Sequence, residues 1–274
     1  MAIAHGTDPV SAIAESEATG EVAAIFADIR ATMDIPMLTS IWRTLVAVEG
    51  GLPAAWQATK PLYLTGQPAA ALARVINAAD LPTPAPLVPG QLAAAGVPPE
   101  ELAAVRAIVA AYNRSNGMNM IALTALLVER DAPVSTGPVP SPPPWPELRP
   151  LLAANEIDPD CWDLLCEINT FGGGEGGLAT LWRHLAHWPG LLALIHAAFS
   201  PLQQSGALAE AMQQVHDLGR TEAAQLAHLC PDPLELPDGA RRMISDYVAA
   251  PTVVARMVTL GHILGRWLEP TPRP

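Results

Sequence analysis

The chain contains one stretch twice. Residues 41–66 read IWRTLVAVEGGLPAAWQATKPLYLTG and residues 181–206 read LWRHLAHWPGLLALIHAAFSPLQQSG; aligned at a shift of 140 without a gap, nine of 26 positions coincide. The matched positions include Trp42 and Trp182, Arg43 and Arg183, Leu45 and Leu185, Pro61 and Pro201, and Gly66 and Gly206, and the same shift pairs Leu38 with Leu178 and Val75 with Val215. A repeat whose period is half the chain is too long for a solenoid, so the expectation is two fused copies of one unit. The apolar spacing within each copy is helical. Val22, Ile25, Phe26, Ile29 and Met33 form a stripe at i, i+3, i+4, i+7 and i+11, the period of one helix face. The predicted fold class is therefore all-α, with two homologous helical repeats forming an intramolecular pseudo-dimer through Trp42, Leu45, Trp182 and Leu185.

The boundaries follow from proline. Residues 131–146 (DAPVSTGPVPSPPPWP) hold seven prolines, which makes an extended, semi-rigid linker. The first repeat is placed at 18–130, the linker at 131–146 and the second repeat at 147–270. Within the first copy the spacing predicts a helix from near Thr19, a second carrying Ile41, Trp42, Leu45 and Val48, a third over Leu52–Leu64 that Pro61 kinks or shortens, and a fourth over Gln67–Ala79. Pro98-Pro99-Glu100-Glu101 then opens a long helix, with proline early and acids in the first turn. That helix is expected to run to the group Asn113–Asn119 and to break there at Gly117 before a last apolar helix. In the second copy helices are predicted over 178–188, 191–201, 207–226, 238–248 and 252–268. Its run FGGGEGGL, residues 171–178, stands where the first copy has Asp34–Met37; no lysine follows it, so it is not a nucleotide-binding P-loop, and it reads as a mobile entry loop or a spacer.

Charge excludes some functions. A formal net charge of −12 is unsuited to nucleic acid, whose phosphates require a basic patch, and to an anionic membrane surface. It leaves a small anionic ligand open, because a helix N-terminus can bind one inside an acidic protein. Cys161, Cys166 and Cys230 form no CxxC and no even set, the usage of a reducing compartment. With no signal peptide at the N-terminus and no run of about 20 apolar residues, the expected setting is the cytoplasm. No trio of His, Cys or acid stands at metal-ligand spacing, and no cofactor motif is present, so no metal or cofactor is expected. A homodimer is compatible with this reading.

The motifs Asp34-Ile-Pro followed by Ile41-Trp-Arg, Tyr112-Asn-Arg-Ser-Asn-Gly-Met-Asn, and Leu181-Trp-Arg-His-Leu-Ala-His-Trp-Pro-Gly resemble those of the group I 2-haloacid dehalogenases, and the likeness extends over nearly the whole chain with its duplication and proline-rich joint. The resemblance implies a buried site between the two halves, a small organic acid as ligand, and cofactor-independent hydrolysis. In such enzymes an aspartate activates the water that displaces halide from C2, and an asparagine of the first copy holds that water. Carried over, Asn119 or Asn116 is that asparagine, and Met37 and Ser40 line the pocket. The aspartate should stand near Thr180-Leu181, but no Asp or Glu occurs from Gly176 to Ala209. Classical dehalogenation is therefore doubtful from the sequence.

The polar residues around that position are Thr180, His184 and His187. His184 and His187, at i and i+3, share a helix face, and a neutral histidine can act as a general base near pH 7; equally, both read as ordinary hydrogen-bonded helix residues. The catalytic candidates are accordingly His184, Asn119 and Thr180, and the substrate-binding candidates Asn116, Ser40, Met37 and Leu181. Arg43 and Arg183 read either as carboxylate binders or, since both copies have one, as structural pairs. His196 and His262 read as core histidines. Two alternatives to a dehalogenase-like hydrolase remain: a non-catalytic homologue that binds a small acid or a protein partner, and a helical protein of the carboxymuconolactone-decarboxylase and alkylhydroperoxidase-D type, suggested by Ile41-Trp-Arg followed by GGLPAAWQ.

Overall fold

The first helix shows how the chain builds its elements. α1 (Gly20–Met33) turns Phe26, Ile29 and Met33 fully inward, with Val22 and Ile25 packed beside them, and ends where Asp34 takes a left-handed conformation at φ 50°. The computed structural model describes residues 3–6, 12–129, 144–174 and 177–269. There follow α2 (Ser40–Thr44), α3 (Gly51–Leu64), α4 (Gln67–Ala78), the short α5 (Gln91–Ala94) and α6 (Pro99–Ala125). Beyond residue 143 come α7 (Pro159–Asn169), α8 (Thr180–Leu185), α9 (Pro189–Gln204), α10 (Ala207–Leu226), α11 (Asp238–Val248), a π-type turn (Pro251–Ala255) and α12 (Arg256–Leu268). No strand occurs among the described residues; the protein is all-α.

The starts of α2 and α8 lie 140 positions apart, as do those of α4 and α10. Pro61 and Pro201 each sit inside a helix near its end, and α3 and α9 both stop within a turn of them. The next residues able to restart a helix follow Gly66 and Gly206, at φ 69° and 84°, a left-handed backbone that glycine adopts without a Cβ clash. Most of the proline-rich 131–146 segment lies outside the described residues.

α6 differs from expectation. It runs unbroken for 27 residues, so Asn113, Asn116 and Asn119 are interior helix positions rather than a turn. Gly117 is there for contact, not for a break: a Cβ at this position would lie 2.3 Å from Leu72 of α4. α6 is the axis against which α4, α8, α10, α11 and α12 all pack.

The apolar residues of both halves form one continuous core that includes Trp42, Leu45, Trp182 and Leu185, all at 0% exposure. Each large apolar side chain removed from water contributes about 1.5–3 kcal/mol. Polar ties reinforce the seam. Arg74 of α4 pairs with Glu222 of α10 at 2.6 Å, Asn113 of α6 donates to the Gly261 carbonyl of α12 at 2.9 Å, and Arg266 donates to the Ile76 carbonyl at 2.9 Å. Among the described residues, no single helix is long and apolar enough to cross a membrane.

Candidate functional site

The start of α2, the middle of α6, the start of α8 and the π-type turn before α12 meet around a cavity of about 210 Å³. Four of the residues singled out from the sequence line it: Ser40, Asn116, Thr180 and Leu181. They reach it because α8 opens at Thr180 after a loop that Asn169 holds in place. The Asn169 amide donates to the Gly177 carbonyl at 2.6 Å and accepts from the Ala179 N–H at 3.1 Å. Part of the FGGGEGG loop, Glu175 and Gly176, lies outside the described residues.

Met37 and His184 line a different cavity, about 770 Å³, with Arg43 and Arg183. The sequence suggests one pocket for Met37, His184, Ser40, Asn116, Asn119 and Thr180; in the structure Met37 and His184 line one space and Ser40, Asn116 and Thr180 another, with the Tyr112 ring lining both. His184 meets that ring edge-on at 5.8 Å and donates from Nε2 to the Arg149 carbonyl at 2.5 Å. Its Nδ1 is buried without a partner, and burial holds its pKa below the usual histidine value. His187 donates in the same way to the Pro150 carbonyl at 2.8 Å, so the pair tethers the backbone at residues 149–150. Arg43 and Arg183 donate to the Ile13 and Leu152 carbonyls. His196 stacks on Phe171, and His262 donates to the Val258 carbonyl within its own helix.

Asn119 lies deeper than either cavity, fully buried. Its Oδ1 accepts from the Trp42 indole at 3.1 Å and the Tyr63 hydroxyl at 2.9 Å, and its Nδ2 donates to Thr39 Oγ1 at 2.9 Å. An amide so occupied anchors the fold around the site; Asn116, one turn earlier, is the α6 asparagine that borders the 210 Å³ space.

Sequence reasoning did not single out three further residues of this cavity: Tyr112, Tyr247 and Arg256. Tyr112 lies near Thr180 and Tyr247 near Asn119, yet neither hydroxyl completes a hydrogen bond of normal geometry. Burial pushes the Tyr112 hydroxyl up to about 12 and raises that of Tyr247 still further. At neutral pH both are therefore donors, not bases. No Asp or Glu lines this cavity among the described residues, and no three His, Cys, Asp or Glu there are placed to share a metal ion.

The chain is 26% identical over 196 residues to a configuration-inverting 2-haloacid dehalogenase of Alcaligenes xylosoxydans xylosoxydans, a match over 67% of this chain and 66% of that relative. Its fold superposes on solved D-2-haloacid dehalogenases. A mutant in complex with D-2-CPA matches with TM-score 0.65 at 14% identity, covering 97% of each chain. A complex with L-LA matches with TM-score 0.65 at 13% identity, covering 98% of each. In sequence this chain is similar to a 2-haloacid dehalogenase, and in fold it is similar to D-2-haloacid dehalogenases. No protein-family model matches it. The fold shared with these dehalogenases extends over 97–98% of the chain.

Proposed function

We propose that the protein binds a small 2-substituted carboxylic acid in the 210 Å³ cavity between α2, α6, α8 and the start of α12, without a cofactor, and that it performs ordinary haloacid dehalogenation poorly or not at all. The observation that carries this reading is the makeup of the cavity wall. Ser40, Asn116, Thr180 and the Tyr112 and Tyr247 hydroxyls supply hydrogen-bonding groups to a ligand of few atoms, while the position near Thr180-Leu181 that the resemblance assigns to an acid holds none. The relatives supply the ligand class, since the solved neighbours are complexes with D-2-CPA and L-LA.

Displacement at C2 by water requires a group that takes the water's proton, and general-base help is typically worth about 10²–10⁴ in rate. Among the described residues of this cavity the titratable oxygens are phenols that remain protonated. His184, the candidate for proton transfer, lines the neighbouring cavity behind Tyr112. The non-catalytic reading, a small-acid-binding homologue, is favoured by the same lining, which has no Asp or Glu among the described residues.

Two measurements test the proposal. Halide release from D- and L-2-chloropropionate should be near background for the unaltered protein, while calorimetric titration with the same acids shows binding. Thr180→Asp or Leu181→Asp should then raise halide release, by about 10² or more if the new carboxylate reaches the water. Vigorous turnover by the unaltered protein would show that another residue serves as base. Absence of binding to every small 2-substituted acid would remove the cavity from consideration.

A further inference from the structure

Arg256 is the residue of this cavity with the largest unmet electrostatic demand. Its side chain is buried at 6% exposure. Nη1 donates to the Asn169 and Phe171 carbonyls at 3.0 and 3.1 Å, and Nε is buried with no partner. No carboxylate among the described residues pairs with it. Burial pulls its pKa down to about 10, so at neutral pH it remains a cation. A guanidinium removed from water and given only neutral acceptors is unfavourable unless a counter-charge arrives. Arg256 lines the cavity alongside Tyr112 and Tyr247, whose hydroxyls are likewise unpartnered. Three buried donors from α6, α11 and α12 thus surround one small space.

The glycines upstream fit this placement. A Cβ on Gly174 would lie 2.5 Å from Arg256 Nη1 and 2.1 Å from the Asn169 oxygen that the guanidinium uses. A Cβ on Gly172 would lie 2.5 Å from Met212 Sδ and 3.1 Å from Arg256 Cγ. Side chains at these two positions would collide with the arginine or with its acceptor. Gly172 and Gly174 therefore leave room for the Arg256 side chain.

We propose that Arg256 anchors the ligand's carboxylate, so that the cavity selects monoanionic acids over their neutral analogues; this rests on the reading of the cavity as a small-acid site. A carboxylate has two oxygens and about four acceptor positions, enough for a guanidinium N–H and two phenolic hydroxyls. Charge-assisted hydrogen bonds of this kind are about twice as strong as neutral ones.

The test compares 2-chloropropionate with 2-chloropropionamide, which keeps shape and substituent but carries no charge. Calorimetric titration of the full-length protein should show the acid bound on the order of 10-fold or more tighter than the amide. R256Q should abolish that preference while still binding the amide. R256K, which keeps the charge and loses the planar fork, should fall between. G174A, with the arginine intact but displaced, should weaken the acid more than the amide. Equal binding of acid and amide by the unaltered protein, or a preference that survives R256Q, would overturn the assignment of Arg256 and leave the cavity reading standing. If neither probe binds, both fall. Should R256Q fail to fold by circular dichroism, the unaltered protein and G174A decide the question.

Discussion

The Trp42 indole N–H donates to Asn119 Oδ1 at 3.1 Å, whereas the Trp182 indole N–H, 140 positions later and equally buried, has no acceptor among the described residues. A buried unsatisfied donor costs about 1–3 kcal/mol. Trp42→Phe should therefore destabilise the protein more than Trp182→Phe, because only the first change breaks a hydrogen bond, while Asn119 Oδ1 keeps its bond from Tyr63. The expected difference is about 1–2 kcal/mol, read from urea unfolding midpoints at constant m-value. Equal losses would mean that packing alone sets both values.

Asn119 joins Trp42, Tyr63 and Thr39 in one buried set of hydrogen bonds. Asn119→Ala leaves the Trp42 and Tyr63 donors unpaired and opens a void, so stability should fall by about 3 kcal/mol. Tyr63→Phe removes a single donor and should cost nearer 1 kcal/mol. Chemical denaturation of the two variants checks the order; a mild Asn119→Ala would show that water replaces the amide.

Gly117 faces Leu72 with no room for a methyl group. Gly117→Ala raises helix propensity by up to about 1 kcal/mol, but overpacking costs about 1–3 kcal/mol. The net effect should be destabilising, and Leu72→Ala in the same chain should recover part of the loss. Thermal unfolding of the single and double variants measures the coupling.

Two histidines fix how stability responds to acid. Burial lowers the pKa of His262 from 6.5 to about 4, and that of His184 is lowered as well. The unfolded chain then binds these protons more readily than the native one, so stability is greatest above pH 6.5 and declines as pH falls below that value. For His262 the decline continues to about pH 4 and amounts to on the order of 2–3 kcal/mol. His262→Gln should flatten this part of the profile; an unchanged slope between pH 6.5 and 4 would assign it to other groups.

Much of the helical plan was readable from apolar spacing. The stripe from Val22 to Met33, the proline near the start of α6 and the glycines before α4 and α10 are local signals, and the structure has helices where they imply them. Gly117 misled because a glycine within an apolar run reads the same whether it ends a helix or admits a neighbour; only the position of Leu72 distinguishes the two. Ser40, Asn116, Thr180 and Leu181 reached one cavity because they sit at helix starts and on a face that the resemblance could locate. Tyr247 and Arg256 escaped notice, and Tyr112 was noticed only as the head of a motif, since a lone hydroxyl or cation acquires meaning only from what surrounds it. A signal for Arg256 was present, however: it is the one charge in the run Val253–Leu260, a place where an unpaired cation needs a reason.

Tyr112 is the wall between the two neighbouring spaces, and a shared wall cannot be altered on one side alone. Trimming it to widen the small space would open a passage into the larger one and remove the ring on which His184 rests. The reach of the smaller chamber, and hence the longest substituent a guest can carry, is set by a partition that belongs equally to the room behind it.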